Sequence, residues 1–343
     1  MRGFSFCAKI NLMKIKVNWR NPIVTIVGIL IIFGVGVVVY QYNIIHFGAV
    51  CDLSKYRYIN AELRCKSKQI VDKRGYIELK QDLLKFIQEK KKENVITDVS
   101  IYFRDLQNGP TLGIDEYSQF SPASLLKLPL LLAYYNLREN QPDLFEKQLI
   151  IKNLEKELTQ SILPKESIQL NKTYSINDLL NYMIRYSDNQ SYYVLLDYLH
   201  QISPEKDLLK ETFDDLGIID PKDFLDNTIS VKSYGSIFVQ LFNTSYFSQK
   251  ETSESALNLL IESDWRKGIN AGVPVEIEVA HKFGEREDFA GGVIQLHDCG
   301  IVYYPENPYL LCVMTRGYDL DKLAETIASI SKMFYEEFDS RKL

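Results

Sequence analysis

From Asn21 to Val50 the chain carries no Lys, Arg, Asp or Glu. Within this stretch Ile23–Tyr40 consists of Ile, Val, Leu, Phe, Gly and Tyr with a single Thr. A helix rises about 1.5 Å per residue, so roughly 20 residues cross a hydrocarbon core of about 30 Å. The run is too long and too uniformly apolar for a buried core helix, and residues 21–42 are expected to span a membrane. Arg2, Lys9, Lys14, Lys16 and Arg20 precede it with no acid among them, whereas the basic residues close behind it are Lys55 and Arg57, offset by Asp52 and Glu62. That bias places residues 1–20 in the cytoplasm and the bulk of the chain outside. The apolar run exceeds the roughly 7–15 residues of a signal peptide, and no A-x-A-like site follows it. Gly48-Ala49-Val50-Cys51 is only faintly like a lipoprotein cleavage site, since Val50 is branched.

The remainder is large enough for a full hydrophobic core: 343 residues in all, 46% of them apolar. Charged residues make up 25%, which excludes wholesale disorder, and five cysteines are too few for a disulfide-built scaffold. Charge is uneven. Residues 1–95 hold 17 Lys and Arg against 7 Asp and Glu, although the whole chain has a net charge of −5. The main body is therefore acidic, which argues against nucleic-acid binding; a basic N-terminal third beside an apolar run suits anionic lipid. Outside the cytoplasm cysteines meet oxidising conditions. Cys51 and Cys65 are close enough in sequence to pair, and Cys299 and Cys312 lie in neighbouring strand-like runs. A small buried hydrophobe is the alternative reading for each.

Residues 43–74 are mixed, basic and unpatterned, as a stalk would be. Leu79, Leu83, Leu84, Phe86 and Ile87 then recur at helical spacing. Asp98–Asp105 reads as a strand, Asn108-Gly109-Pro110 as a turn, and Thr111–Ile114 as a second strand. Leu125–Tyr135 is apolar except for Lys127, the mark of a helix buried on all sides. A helical middle spans roughly 140–265. Glu276–Phe283, Gly292–Tyr304 and Tyr309–Thr315 read as three strands, the last two joined by Pro305-Glu306-Asn307-Pro308. Leu323, Ile327, Ile330, Phe334 and Phe338 form one stripe of a closing helix. Strands at both ends with helices between them indicate an α+β fold: one antiparallel sheet from N- and C-terminal strands, plus an all-helical lobe, over residues 75–343. A cleft between such lobes is a usual place for an active site.

Four histidines are present, His46, His200, His281 and His297. No G-x-S-x-G elbow marks a Ser-His-Asp triad, and His281, His297 and Asp298 lack metal-ligand spacing, so structural roles are expected and no metal or other cofactor. The stronger signal is Ser124-Leu125-Leu126-Lys127. Ser and Lys at i and i+3 share a helix face, and a lysine desolvated in an apolar helix can accept the serine proton. Two further S-x-x-K copies occur, Ser203–Lys206 and Ser329–Lys332, but neither opens an all-apolar helix. Ser187-Asp188-Asn189 offers a hydroxyl and a carboxamide two residues apart, and equally suits a helix N-cap. Lys282-Phe283-Gly284 offers a fixed positive charge on a strand, where the glycine would let a substrate backbone approach; an exposed edge lysine is the plainer reading.

In the order S-x-x-K, S-D-N, K-x-G the chain resembles the penicillin-recognising serine enzymes, class A β-lactamases and D,D-peptidases, over roughly residues 75–343. The resemblance implies Ser124 as the acylated nucleophile and Lys127 as its proton acceptor. It implies that Ser187 passes a proton to the leaving amine, Asn189 holds the substrate amide, and Lys282 tunes Ser187 and attracts the substrate carboxylate. It further implies an oxyanion hole from the backbone N–H groups of Ser124 and of Glu285, just after Gly284. The substrate would be a β-lactam or a peptidoglycan stem peptide, with membrane lipid met through the N-terminal helix.

Two departures stand out. Phe283 replaces the Thr or Ser usual in the third motif, removing a hydroxyl for the substrate carboxylate; Arg286 or Arg316 is a candidate replacement. Class A β-lactamases also carry E-x-x-L-N in a loop after S-D-N, whose Glu activates the deacylating water. The string aligned with that loop here is Asp223-Phe224-Leu225-Asp226-Asn227, and an alignment that truncates the loop and matches Asp226 to its closing acid fits better. Expected activities are therefore β-lactam hydrolysis with slow deacylation, D,D-peptidase action, or penicillin binding without turnover as a sensor. Against the sensor, some 20 cytoplasmic residues are too few for a signalling domain.

Overall fold

The computed structural model describes residues 33–34, 56–60, 76–155, 160–220, 228–288 and 292–340. The chain divides into two units, 1–52 and 53–343. Of the expected membrane span only Phe33 and Gly34 are described, both helical and exposed; the rest of it, Cys51, Cys65, Asp223 and Asp226 lie outside the described residues. Among the described residues no helix is long and apolar enough to cross a membrane.

The second unit opens with helix α1 (Ile77–Lys92), whose Leu79, Leu83 and Ile87, one turn apart, are buried and whose last turn carries Lys90, Lys91 and Lys92 against the negative end of the helix dipole. Strand β1 (Ile96–Asp105) turns back into β2 (Thr111–Ile114). Asp105 Oδ1 holds that turn, accepting from the amides of Gln107 and Asn108 at 3.0 and 2.7 Å, and Gly109 supplies a φ of +90°. After the helical middle come β7 (Val279–Asp288), β8 (Val293–Val302), β9 (Tyr309–Gly317) and the closing helix α8 (Leu320–Ser340). The five long strands form one antiparallel sheet, β2-β1-β9-β8-β7, in which β1 pairs with β9 and so joins the two ends of the domain. In the β8–β9 register Cys299 faces Cys312, and the two form a disulfide.

The strand bounds differ most at β7, expected over Glu276–Phe283. The amide of Ile277 turns back to Pro274 O, so the strand cannot begin there, and it continues through the polar run Glu285–Glu287. An edge strand keeps one side toward solvent, so polarity does not end it.

One sheet face packs on α1 and α8, around Phe103, Tyr309, Phe334 and Phe338. The other faces the helical lobe, whose centre is α2 (Lys127–Asn140), buried from Lys127 through Tyr135. Around it stand α3 (Ile176–Arg185), α4 (Asn189–Ile202), α5 (Leu208–Asp215), α6 (Val231–Phe242) and α7 (Lys250–Ile261). Short strands β3 (Gln119–Phe120) and β6 (Ile229–Ser230) pair with each other, as do β4 (Gln148–Ile150) and β5 (Thr173–Ser175). Residues 56–60, within the expected stalk, pack on this lobe: Tyr58 and Ile59 are buried, and the Glu254 carboxylate accepts from the amides of Arg57, Tyr58 and Ile59.

Candidate active site

Ser124 does not sit in the α-helix itself. It lies in a 3-10 turn, Ala123–Leu126, that runs into α2 at Lys127. Ala123, just before it, has a φ of +49°, a left-handed conformation that costs a non-glycine residue of order 1 kcal/mol and tilts the serine toward the sheet edge. The turn is pinned through Ser121. Its amide donates to Gln295 Oε1 at 3.1 Å, its hydroxyl accepts from Arg286 Nη1 at 3.0 Å, and its carbonyl accepts from His297 Nε2 at 2.9 Å. Burial pushes His297 down to about 3, so the imidazole is neutral and Nε2 carries the proton it donates.

Ser187 links α3 to α4 with a φ of +54° and is fully buried. Asp188 is the N-cap of α4, accepting from the amides of Gln190 and Ser191 and from the hydroxyls of Ser191 and Ser167. The cap reading of S-D-N and the site reading are thus both met, by different residues: Asp188 caps, while Ser187 and Asn189 turn toward Lys127.

Lys127 is only 2% exposed. Its Nζ lies 3.0 Å from Ser124 Oγ, 2.5 Å from Ser187 O, 3.1 Å from Ser187 Oγ and 2.6 Å from Asn189 Oδ1. Burial pulls this amine down to about 7, against the opposing pull of Asp188 and Glu285. Lys282, expected in the plain reading at an exposed edge, is 1% exposed. Its Nζ donates to Ser187 Oγ at 2.9 Å and to Phe283 O at 2.8 Å. Desolvation and then the nearby Lys127 lower its pKa well below the usual lysine range, with Asp298 opposing.

Gly284 also has a packing role. A Cβ there would stand 3.1 Å from both Leu125 N and Pro122 O, so the bare glycine lets β7 close onto the chain's own turn at residues 121–126. That contact brings the strand carrying the Glu285 amide against the turn carrying the Ser124 amide. The Glu285 carboxylate accepts from the amides of Ser161 and Ile162 at 2.8 and 3.3 Å, and Glu287 accepts from the Ser161 hydroxyl at 2.6 Å. Phe283 is buried and stacked on Trp265, ring centroids 4.4 Å apart. Arg286 lines the pocket, whereas Arg316 stacks on Phe120 and donates to Gln119 O.

A cavity of about 490 Å³ opens over these groups, lined by Ser124, Lys127, Asn189, Tyr192, Glu285 and Arg286 among others. The competing S-x-x-K copies go elsewhere: exposed Lys206 pairs with Glu211, Ser329 bonds to Glu325 O, and exposed Lys332 pairs with Glu336. Among the described residues no group of three His, Cys, Asp or Glu is placed to hold a metal ion. His281 and Asp298 are instead a buried pair at 2.8 Å. The Ser121 anchors Gln295, Arg286 and His297 carry no signal in linear spacing; only the β7–β8 register brings them together.

The fold finds its counterpart in known proteins. A β-lactamase of Bacteroides uniformis is 24% identical over 243 residues, 66% of this chain and 82% of the relative. The structure of a PBP-A mutant as an acyl-enzyme complex with penicillin G aligns at a TM-score of 0.61 and 22% identity, covering 78% of this chain and 98% of that one. A class A β-lactamase from Bacteroides cellulosilyticus aligns at 0.61 and 20% identity, covering 76% and 99%. The pattern of the β-lactamase enzyme family matches residues 78–338, and over that length the chain belongs to the family: it is a serine β-lactamase-like hydrolase.

Proposed function

We propose that this protein opens β-lactam rings through an acyl-enzyme on Ser124 and releases the product slowly. The observation that carries the reading is the Lys127 amine, buried, lowered toward neutrality and 3.0 Å from Ser124 Oγ. Neutral Lys127 takes the Ser124 proton as Oγ bonds to the lactam carbonyl carbon. The oxyanion is met by the amides of Ser124 and Glu285. Ser187, bonded to both lysines, hands a proton to the ring nitrogen as the C–N bond breaks, and Lys127 restores it. Asn189 Oδ1 faces Lys127, which turns its amide N–H₂ toward the pocket, where it would donate to a substrate carbonyl. Lys282 and Arg286 supply positive charge for the substrate carboxylate.

Slow release is inferred from the acids of the described pocket; Asp223 and Asp226 of the loop after S-D-N lie outside the described residues. The carboxylates lining the described pocket, Glu285 and Glu287, both accept from Ser161. A positioned base contributes about 10²–10⁴ in rate, so without one the acyl-enzyme accumulates. Labelled penicillin followed by intact-mass analysis should show one adduct per chain, absent in Ser124→Ala and strongly slowed in Lys127→Ala. An adduct that survives Ser124→Ala refutes the assignment.

A second reading, D,D-peptidase action, is favoured by β7 ending the sheet beside the pocket, where an extended stem peptide would pair with it. Release of D-alanine from a stem peptide by a preparation inert to penicillin would put this reading first.

We further infer that residues 21–42 anchor the domain outside the cytoplasm, with 1–20 inside and 43–74 as the connecting segment. The uncharged run and its basic flank support this, and so does the Cys299–Cys312 disulfide, which suits an oxidising compartment. Protease added outside should digest the domain; protection until the membrane is lysed would reverse the orientation.

A further inference from the structure

The third motif departs from its family pattern at Phe283, and the structure gives that ring a place under the Lys282 amine. Lys282 Nζ lies 4.1 Å from the Phe283 ring centroid. The ring is held: Trp265 stacks on it at 4.4 Å, and the same indole stacks on His281 at 6.2 Å. His281 is fixed in turn by Asp298 on one ring nitrogen and by Asn270 on the other, both at 2.8 Å.

An inventory of donors divides the two lysines. A charged Lys282 has three N–H groups and three recipients: Ser187 Oγ, Phe283 O and the negative face of the ring. A neutral Lys127 has two N–H groups and one lone pair. Its shortest contacts, Ser187 O and Asn189 Oδ1, are acceptors that take both N–H groups; Ser187 Oγ at 3.1 Å is the longest contact, and the Ser124 hydroxyl donates to the lone pair. A ring face attracts a cation and does little for a neutral amine. Burial is the largest influence on Lys282 and lowers its pKa, as does Lys127 on α2 while it is charged; Asp298 on β8, the two oxygen acceptors and the ring face oppose this. Asp188 and Glu285 act on Lys127 and are outweighed there by burial.

We propose that the Phe283 ring is a positioning group that keeps the proton on Lys282 and so leaves Lys127 as the neutral base beside Ser124. The proposal rests on the reading of Ser124 and Lys127 as nucleophile and base. The ring takes over, for the lysine, a position where the family places a hydroxyl for the substrate.

The test reads the amines directly. In the full chain labelled with ¹⁵N-lysine, the Nζ signals of Lys127 and Lys282, assigned with Lys127→Arg and Lys282→Arg, are followed by NMR from pH 5 to 11. Lys282 should lose its proton at higher pH than Lys127. Phe283→Leu should lower the Lys282 midpoint by about one pH unit, and Phe283→Tyr should restore it. Phe283→Met, which conserves volume, serves if the leucine variant does not fold. In parallel, the acylation rate with labelled penicillin near pH 7 should fall about fivefold to tenfold in the leucine and methionine variants and recover in tyrosine. A Lys127 that holds its proton to higher pH than Lys282, or a Lys282 midpoint indifferent to loss of the ring, overturns the proposal. If the midpoints behave as stated while no form takes up penicillin, the ring's role stands and the β-lactam reading fails.

Discussion

Lys127 and Lys282 converge on one and the same oxygen: their amines lie 3.1 and 2.9 Å from Ser187 Oγ. Two ammonium groups converging on one buried hydroxyl repel each other in a medium that screens them poorly. The site therefore favours a single positive charge across the pair. A hydroxyl bridging a charged and a neutral amine is placed to pass a proton between the nucleophile side and the leaving-group side.

The first prediction concerns pH. The folded chain lowers Lys127 from the ordinary 10.5 to about 7, so between those values the unfolded chain binds the extra proton. Stability should therefore rise with pH across this window, by on the order of 4 kcal/mol from this group, and be lost as pH falls toward 7. Denaturant unfolding at pH 7 and pH 10 would show a smaller rise in Lys127→Met than in the unsubstituted chain. Equal rises would contradict the buried-amine reading. Acylation should titrate on the same group, climbing to a plateau above about pH 7.

Gly284→Ala tests the closure of β7 on the nucleophile turn. The added methyl meets backbone atoms Leu125 N and Pro122 O at 3.1 Å, neither of which can swing aside as a side chain would. The strand and turn must part by a few tenths of an ångström, loosening the paired amides. We expect a loss of about 10²-fold in acylation, comparable to losing one oxyanion donor, with a stability change of about 1–3 kcal/mol. Acylation within twofold of the unsubstituted chain would show that the two amides do not act together.

His297→Phe tests the Ser121 anchor. It keeps a ring of similar shape and removes the donor to Ser121 O, leaving a buried carbonyl without that partner. The expected cost is about 1–3 kcal/mol in stability, with slower acylation at unchanged affinity for penicillin. A pure loss of affinity would place His297 in substrate binding instead.

These residues show where linear sequence is informative about such a site. Ser124 and Lys127 are three positions apart, and the all-apolar run that buries the lysine is itself visible in sequence, so both the pair and its desolvation could be read. Ser187 and Asn189 are also neighbours, although the capping role of Asp188 between them competes for the same letters. Lys282 was legible as a site lysine with an exposed edge lysine as the plainer alternative; its burial and its contact with Ser187 needed the fold. Gly284 was legible as a site of close approach, while its packing against Leu125 and Pro122 needed the fold. Ser121, Gln295 and His297 were invisible, since their association needs the register of β7 and β8 and the path of the turn. That strands from both ends of the domain join one antiparallel sheet could be read, while its strand order needed the structure and the limits of edge strand β7 slipped where it took polar residues.

The last prediction concerns Asp298 and His281, fully buried and 2.8 Å apart beneath the aromatic stack. Asn270 orients the pair: Arg266 donates to its Oδ1, so its Nδ2 donates to His281 Nε2, and His281 Nδ1 must carry the proton given to Asp298. The second Asp298 oxygen accepts from the Ile269 amide at 2.9 Å. A carboxylate satisfied on both oxygens tolerates burial; remove it and both the imidazole N–H and the Ile269 amide are stranded. Asp298→Ala should cost about 3–5 kcal/mol, whereas Asp298→Asn, which can still accept from one donor, should cost less. His281→Phe separates the two halves of the network: it removes the N–H while keeping a ring for Trp265 to stack on. If the pair matters for its charge rather than its shape, His281→Phe should leave Asp298 with one unpaired oxygen and destabilise nearly as much as Asp298→Asn. Unfolding of all three variants that costs under about 0.5 kcal/mol would show that water already satisfies these groups and that the network holds nothing in place.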